Sequence, residues 1–171
     1  MMKIVSVFGT GRAKPGDKNY KLAEQLGRLL AEGGFAIANG GYGGTMEASA
    51  KGAREANGEV IGVTCLAFGR GSANKFVSRE FVTKSLNDRL DKLIEIGGAY
   101  VVLAGGTGTL LELAMVWELK NKGFLDGSKP IILLGEYWKP LVEAVAKDDP
   151  GCCEHLLLAN EPKDVVRLLK K

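Results

Sequence analysis

The sequence predicts a three-layer α/β domain built on a doubly wound parallel sheet. Three observations carry that prediction. Short apolar runs of β type alternate with amphipathic helical patterns along the chain, the central runs are apolar on both faces, and glycines cluster directly after strands.

Lys3–Phe8 reads as the first strand, and Asn19–Glu32 follows as a helix with apolar positions at 22, 23, 26, 29 and 30. Gly33-Gly34 stops that helix, and Phe35–Asn39 is the second strand. Thr45–Ala56 reads as a helix and Glu59–Thr64 as a strand, whereas residues 65–78 show no period and form a long loop. An extended piece at Phe81–Lys84 leads into a helix at Ser85–Ile96, which opens on the capping-box pattern Ser85-x-x-Asp88. Ala99–Leu103 is an apolar run of strand length, followed by a helix from Thr109 to about Lys122. Pro130–Leu134 is the next strand and Trp138–Lys147 the next helix. A weak strand near Leu156–Ala159 and a terminal helix from Pro162 complete the pattern. Runs such as VVLA and IILL suit parallel strands covered by helices on both sides. The architecture is therefore Rossmann-like, and no linker or internal repeat divides residues 1–171 into more than one domain.

A chain of 171 residues buries roughly 70% of its unfolded surface, enough for a core without disulfide staples. Its 23 basic and 20 acidic residues are spread evenly, giving a net charge of +3. No basic arm or amphipathic surface helix stands out, which argues against nucleic acid and membrane as partners. The three cysteines include the adjacent pair Cys152-Cys153 and have no CxxC spacing, and His155 is the only histidine. Reduced thiols and no metal site are expected. Without a signal-peptide h-region or an apolar stretch of spanning length, the expected compartment is the cytoplasm.

Three of the glycine clusters open strand-to-helix loops. Gly9-Thr10-Gly11-Arg12 offers unhindered N–H groups, a hydroxyl and a cation. It is neither a dinucleotide fingerprint, since Lys14 stands where GxGxxG needs glycine, nor a P-loop, since Asp17-Lys18 follows Gly16. Asn39–Glu47 holds four glycines, including Gly41 and Gly44, more than a tight turn with Thr45 as N-cap requires. In Ala104-Gly105-Gly106-Thr107-Gly108-Thr109 an apolar strand opens through glycines into a helix N-terminus, which favours an anion. All three loops lie where a doubly wound sheet collects ligands, at the carboxyl ends of its strands.

Two charged residues stand apart. Glu112 is three residues after Thr109, so it fits a capping box, yet it shares a helical face with Val116 and Leu119, where a carboxylate is costly unless paired or used. Capping and catalysis both remain open for it. Arg89 lies at the edge of the apolar stripe Leu86, Leu90, Leu93, Ile94, and either snorkels, pairs with Asp88 or Asp91, or meets Glu112.

Taken together, Arg89 and the run Ala104-Gly-Gly-Thr-Gly-Thr-Leu-Leu-Glu112 resemble the arginine and PGGxGTxxE motif of the LONELY GUY family, the cytokinin riboside 5′-monophosphate phosphoribohydrolases. The resemblance extends to Gly9-Thr10-Gly11 and to Asn39–Glu47 followed by VIGVT, and covers most of residues 3–135. It implies a Rossmann-like homodimer that hydrolyses the N-glycosidic bond of a nucleoside 5′-monophosphate, AMP-like or cytokinin-like, without a cofactor. Arg89 and Glu112 would be the catalytic pair. Gly105, Gly106, Gly108 and Thr109 would bind phosphate, with Gly9, Thr10, Gly11, Gly41 and Gly44 completing the nucleotide site. Ala104 stands in place of the motif's proline, and Leu90 in place of the lysine that often follows the arginine. The alternative is a non-catalytic nucleotide or molybdenum-cofactor carrier, because such proteins resemble the same loops. The lysine decarboxylase label once attached to the family finds no support, since no lysine is singled out for a Schiff base.

Overall fold

A computed structural model describes residues 3–171. The chain runs β1 (Ile4–Phe8), α1 (Lys18–Glu32), β2 (Ala36–Asn39), α2 (Thr45–Glu55), β3 (Val60–Cys65), β4 (Arg79–Thr83), α3 (Leu86–Ile96), β5 (Ala99–Val102), α4 (Thr107–Asn121), β6 (Ile131–Leu134), α5 (Lys139–Ala146), β7 (Leu156–Ala159) and α6 (Pro162–Leu169). The seven strands form one sheet in the order β4-β3-β2-β1-β5-β6-β7, with every pairing parallel.

Side-chain alternation along each strand feeds two cores. Val5, Val7, Ile37, Val101 and Ile132 face α1, α2 and α6, where they meet Leu26, Leu30, Ala50 and Val165. Phe8, Ile61, Val63, Tyr100, Val102 and Leu133 face α3, α4 and α5, where they meet Leu93, Leu113, Val116 and Trp117. A strand covered on both faces cannot alternate apolar with polar residues, which is why the predicted runs are continuous. No helix among the described residues is long and apolar enough to cross a membrane.

After β1 the sheet grows outward through β2, β3 and β4, then returns to place β5 on the other side of β1. This reversal is the topological switch point. There the loops after β1 and β5 diverge toward opposite faces and leave a crevice at the strands' carboxyl ends.

The start of α4 differs from expectation. The third glycine loop ends at Gly106, which takes the N-cap position, so α4 begins at Thr107. Thr109 is then the third residue of the helix, Glu112 lies in the second turn, and the Thr109–Glu112 capping box, one of the two alternatives for Glu112, does not form. Helix α2 starts at Thr45 as expected, with Gly44 and not Thr45 in the N-cap position. The box at Ser85 and Asp88 does form: the Ser85 hydroxyl accepts from Asp88 N, and the Asp88 carboxylate accepts from Ser85 N, both at 3.1 Å.

Glycines also set how closely α1 and α2 pack. A Cβ on Gly27 would strike the Ser49 carbonyl, and one on Gly52 the Glu24 carbonyl. Both obstacles are helix backbone, which cannot step aside as a flexible side chain does. Gly27→Ala and Gly52→Ala are each expected to lower unfolding free energy by about 1–3 kcal/mol in denaturant titrations, although alanine is the better helix former.

Candidate functional site

A cavity of about 780 Å³ opens at the switch point. The first and third glycine loops both line it: Gly9, Thr10, Gly11 and Arg12 after β1, and Ala104, Gly105, Gly106, Gly108 and Thr109 after β5. Gly105 abuts Thr109 so closely that a Cβ there would overlap the Thr109 side chain. The loop is thus folded tightly onto the first turn of α4, whose unpaired N–H groups end at the cavity and favour an anion.

The second loop plays a different part. Gly41 and Gly44 do not line the cavity. Gly44, at φ 71°, lies against the backbone of Thr10 and Gly11, and the next residue fixes the contact: Thr45 N donates to Thr10 O at 2.9 Å, and Thr45 Oγ1 donates to the same carbonyl at 3.0 Å. Gly41, at φ 78°, is wedged between Thr64 and Ala73, and Asn74 Nδ2 donates to its carbonyl at 3.0 Å. These positive φ values favour glycine, and the loop braces its neighbours from behind. From the same loop Tyr42 and Met46 do reach the cavity.

Arg89 turns inward from α3. Its side chain is 9% exposed, and Nε donates to the Val63 carbonyl at 2.8 Å. The guanidinium occupies the space above Gly40, where a Cβ would overlap Nη2. Asp88 is committed to its capping box, and the inward turn takes Arg89 away from the solvated face that Asp88 and Asp91 occupy. Its Nη1 lies 3.8 Å from Glu112 Oε1, an ionic contact longer than a hydrogen bond. The Glu112 side chain, 13% exposed, projects from α4 into the same cavity. Burial pushes its carboxyl up from an ordinary 4.5 to about 7, because desolvation outweighs the pull of Arg89 toward the ionised form.

The sequence-predicted pair is therefore brought together, in a cavity that also holds Gly9, Thr10, Gly11, Gly105, Gly106, Gly108 and Thr109. Sequence reasoning missed Tyr42, Met46, Phe68, Arg70, Leu86 and Tyr137, which also line it. All but Met46, which lies in the first turn of α2, are within five residues of a strand's carboxyl end, the one positional signal that could have found them. No group of three His, Cys, Asp or Glu side chains suited to a metal ion occurs among the described residues.

Comparison with known proteins agrees with this geometry. Residues 2–166 match the model of the SLOG cluster4 family. The chain is 30% identical over 148 residues to a cytokinin riboside 5′-monophosphate phosphoribohydrolase of Rhodococcoides fascians, covering 84% of this chain and 74% of that one. Among solved structures it is similar to the molybdenum cofactor binding protein of Rippkaea orientalis (TM-score 0.81, 28% identity, 99% of this chain and 96% of that one). It is also similar to the molybdenum cofactor carrier protein of Chlamydomonas reinhardtii (TM-score 0.78, 26% identity, 99% and 97%). The switch-point cavity, the Arg89–Glu112 pair and the family match over nearly the whole chain agree: this protein belongs to the SLOG cluster4 family and is of LONELY GUY type.

Proposed function

We propose that this chain hydrolyses the N-glycosidic bond of a nucleoside 5′-monophosphate, releasing the free base and ribose 5-phosphate. The observation that carries the reading is a largely buried carboxylate, Glu112, held beside a backbone-anchored guanidinium in a cavity that the glycine-lined N-terminus of α4 also walls. The helix end and Gly105–Gly108 suit the phosphate. With the phosphate there, Glu112 in the second turn of α4 lies next to the ribose.

As the bond from C1′ to the base nitrogen breaks, its electron pair leaves with the base and positive charge spreads over C1′ and the ring oxygen. The Glu112 carboxylate opposes that charge and orients the water whose oxygen bonds to C1′. The proton lost by the water ends on the base or in solvent. Arg89, fixed through Nε and with Nη2 against Met46 Sδ at 3.9 Å, turns Nη1 toward Glu112 and the substrate. No cofactor enters these steps, and the reading includes the homodimer that the family resemblance implies.

A second reading is a carrier that binds the molybdenum cofactor or a nucleotide and breaks no bond. The similarity to the two molybdenum cofactor proteins favours it. A panel of nucleoside 5′-monophosphates, assayed for base and ribose 5-phosphate, separates the two. The hydrolase reading expects turnover in the wild type, a fall in kcat of about 100-fold or more in Glu112→Gln, and nearly unchanged nucleotide affinity. Nucleotide binding without release of base from any member of the panel would leave the carrier reading standing.

The raised carboxyl gives two further expectations. Because the ionised form of Glu112 acts, kcat/KM should rise with pH to a plateau above about 7, an inflection absent from the residual rate of Glu112→Gln. Folding stability runs the other way. The native carboxyl holds its proton up to about 7 and the unfolded one only to about 4.5, so the wild type loses stability as pH rises between those values and then levels off. Denaturant titrations across that window should show the loss in the wild type and not in Glu112→Gln.

A further inference from the structure

Beside Arg89, whose guanidinium carbon stands 5.9 Å from the Tyr42 ring centroid and 5.6 Å from that of Phe68, the cavity continues under a loop to which the proposed chemistry gives no role. The sheet order places β3 three strands from β5, about 14 Å at the ~4.8 Å spacing of neighbouring strands. That distance is comparable to the reach of a nucleoside monophosphate from phosphorus to the far edge of its base. If the phosphate sits at the start of α4, above β5, and the ribose near Glu112 and Arg89, the base falls under the loop that leaves β3.

That loop carries Phe68 and Arg70 into the cavity. Their setting is built. Tyr42 lies beside Phe68 with ring centroids 6.1 Å apart, and its hydroxyl is fixed by accepting from Cys65 N at 2.9 Å and donating to Cys65 O at 3.2 Å. Farther along, Glu80 Oε1 accepts from Thr64 Oγ1 at 2.7 Å and from Ala73 N at 2.9 Å, and Asn74 Nδ2 donates to the carbonyl of Tyr42 at 2.9 Å. The segment is thus tied down just after the two residues that reach the cavity. The Arg70 guanidinium carbon stands 5.6 Å from the Tyr42 ring centroid and 5.7 Å from that of Phe68. No carboxylate forms an ion pair with it among the described residues, so its donors are open to a ligand.

The geometry points to Phe68 and Arg70 as the base subsite, with Arg70 selecting a purine that carries a carbonyl at C6. This rests on the nucleotide reading of the same cavity. A flat ring suits a pocket edged by Phe68 and Tyr42 and by the planar guanidiniums of Arg70 and Arg89 beside them. A guanidinium has donors only, arranged as a planar fork. A 6-oxopurine presents two neighbouring acceptors, O6 and N7, and takes both arms. Adenine presents N7 beside an amino group, so one arm would face another donor. The expected preference is for IMP and GMP over AMP.

The test is calorimetric binding of IMP, GMP and AMP to the Glu112→Gln chain, alongside base release by the wild type. IMP and GMP should bind at least about tenfold more tightly than AMP. Arg70→Gln should abolish that ratio. Arg70→Lys, which keeps the charge and loses the fork, should abolish most of it. Ribose 5-phosphate, lacking a base, reads the other end of the cavity and should bind equally to all three proteins. AMP bound as tightly as GMP, or ribose 5-phosphate weakened together with every nucleotide in Arg70→Gln, would overturn the assignment; the latter would make Arg70 a phosphate residue. A GMP preference in binding without base release by the wild type would uphold the base subsite while the hydrolase reading falls.

Discussion

The parallel pairing of β1 with β5 is the constraint on which the site depends. Val5 to Phe8 pair in register with Ala99 to Val102, and this single junction joins the half of the sheet built outward from β1 to the half built outward from β5. Because the chain must leave β1 toward one face and β5 toward the other, their loops part and cannot fill the space between them. Leu103 N donates to Phe8 O at 2.9 Å, which holds the two loop starts side by side. Trp138 Nε1 donates to Leu103 O at 2.9 Å and pins the same corner from α5.

Around that opening, charge is placed by backbone more than by side-chain pairing. Arg89 is held by a strand carbonyl and by the room that Gly40 leaves, while its contact with Glu112 stays at 3.8 Å. A closer, bidentate pair would consume both groups and drive the carboxyl down. The longer contact leaves desolvation dominant, so Glu112 stays close to the midpoint of its titration at neutral pH. The fold buries most of this carboxylate without fully neutralising it.

The glycine loops divide this labour. Those after β1 and β5 offer bare backbone to the cavity, whereas the loop after β2 stands behind them, with Gly44 against Thr10 and Gly11 and Gly41 against Thr64. The two kinds look alike in sequence because both demands, exposure of N–H groups and close backbone packing, are met by removing a Cβ.

What the sequence determined by itself was whatever depends on local periodicity and composition. The strands, the helices, the three-layer class and the glycine loops at strand ends were all legible, because two-sided burial writes a continuous apolar run and a helix writes its 3.6-residue stripe. Arg89 and Glu112 could be picked out as misplaced charges, the one at the edge of a stripe and the other within it. Their meeting was decided by tertiary structure, since they come from α3 and α4 and only the switch point brings those helix starts to one cavity. Whether Glu112 caps its helix was decided there too. A two-residue shift in the start of α4, set by how Gly105 and Gly106 turn onto Thr109, removed the capping box that the local spacing allowed. The loop after β3 was opaque for the same reason. Its residues follow no period, and Phe68 and Arg70 acquire a place through Glu80, Asn74, Tyr42 and Arg89, contacts between segments that no local pattern encodes.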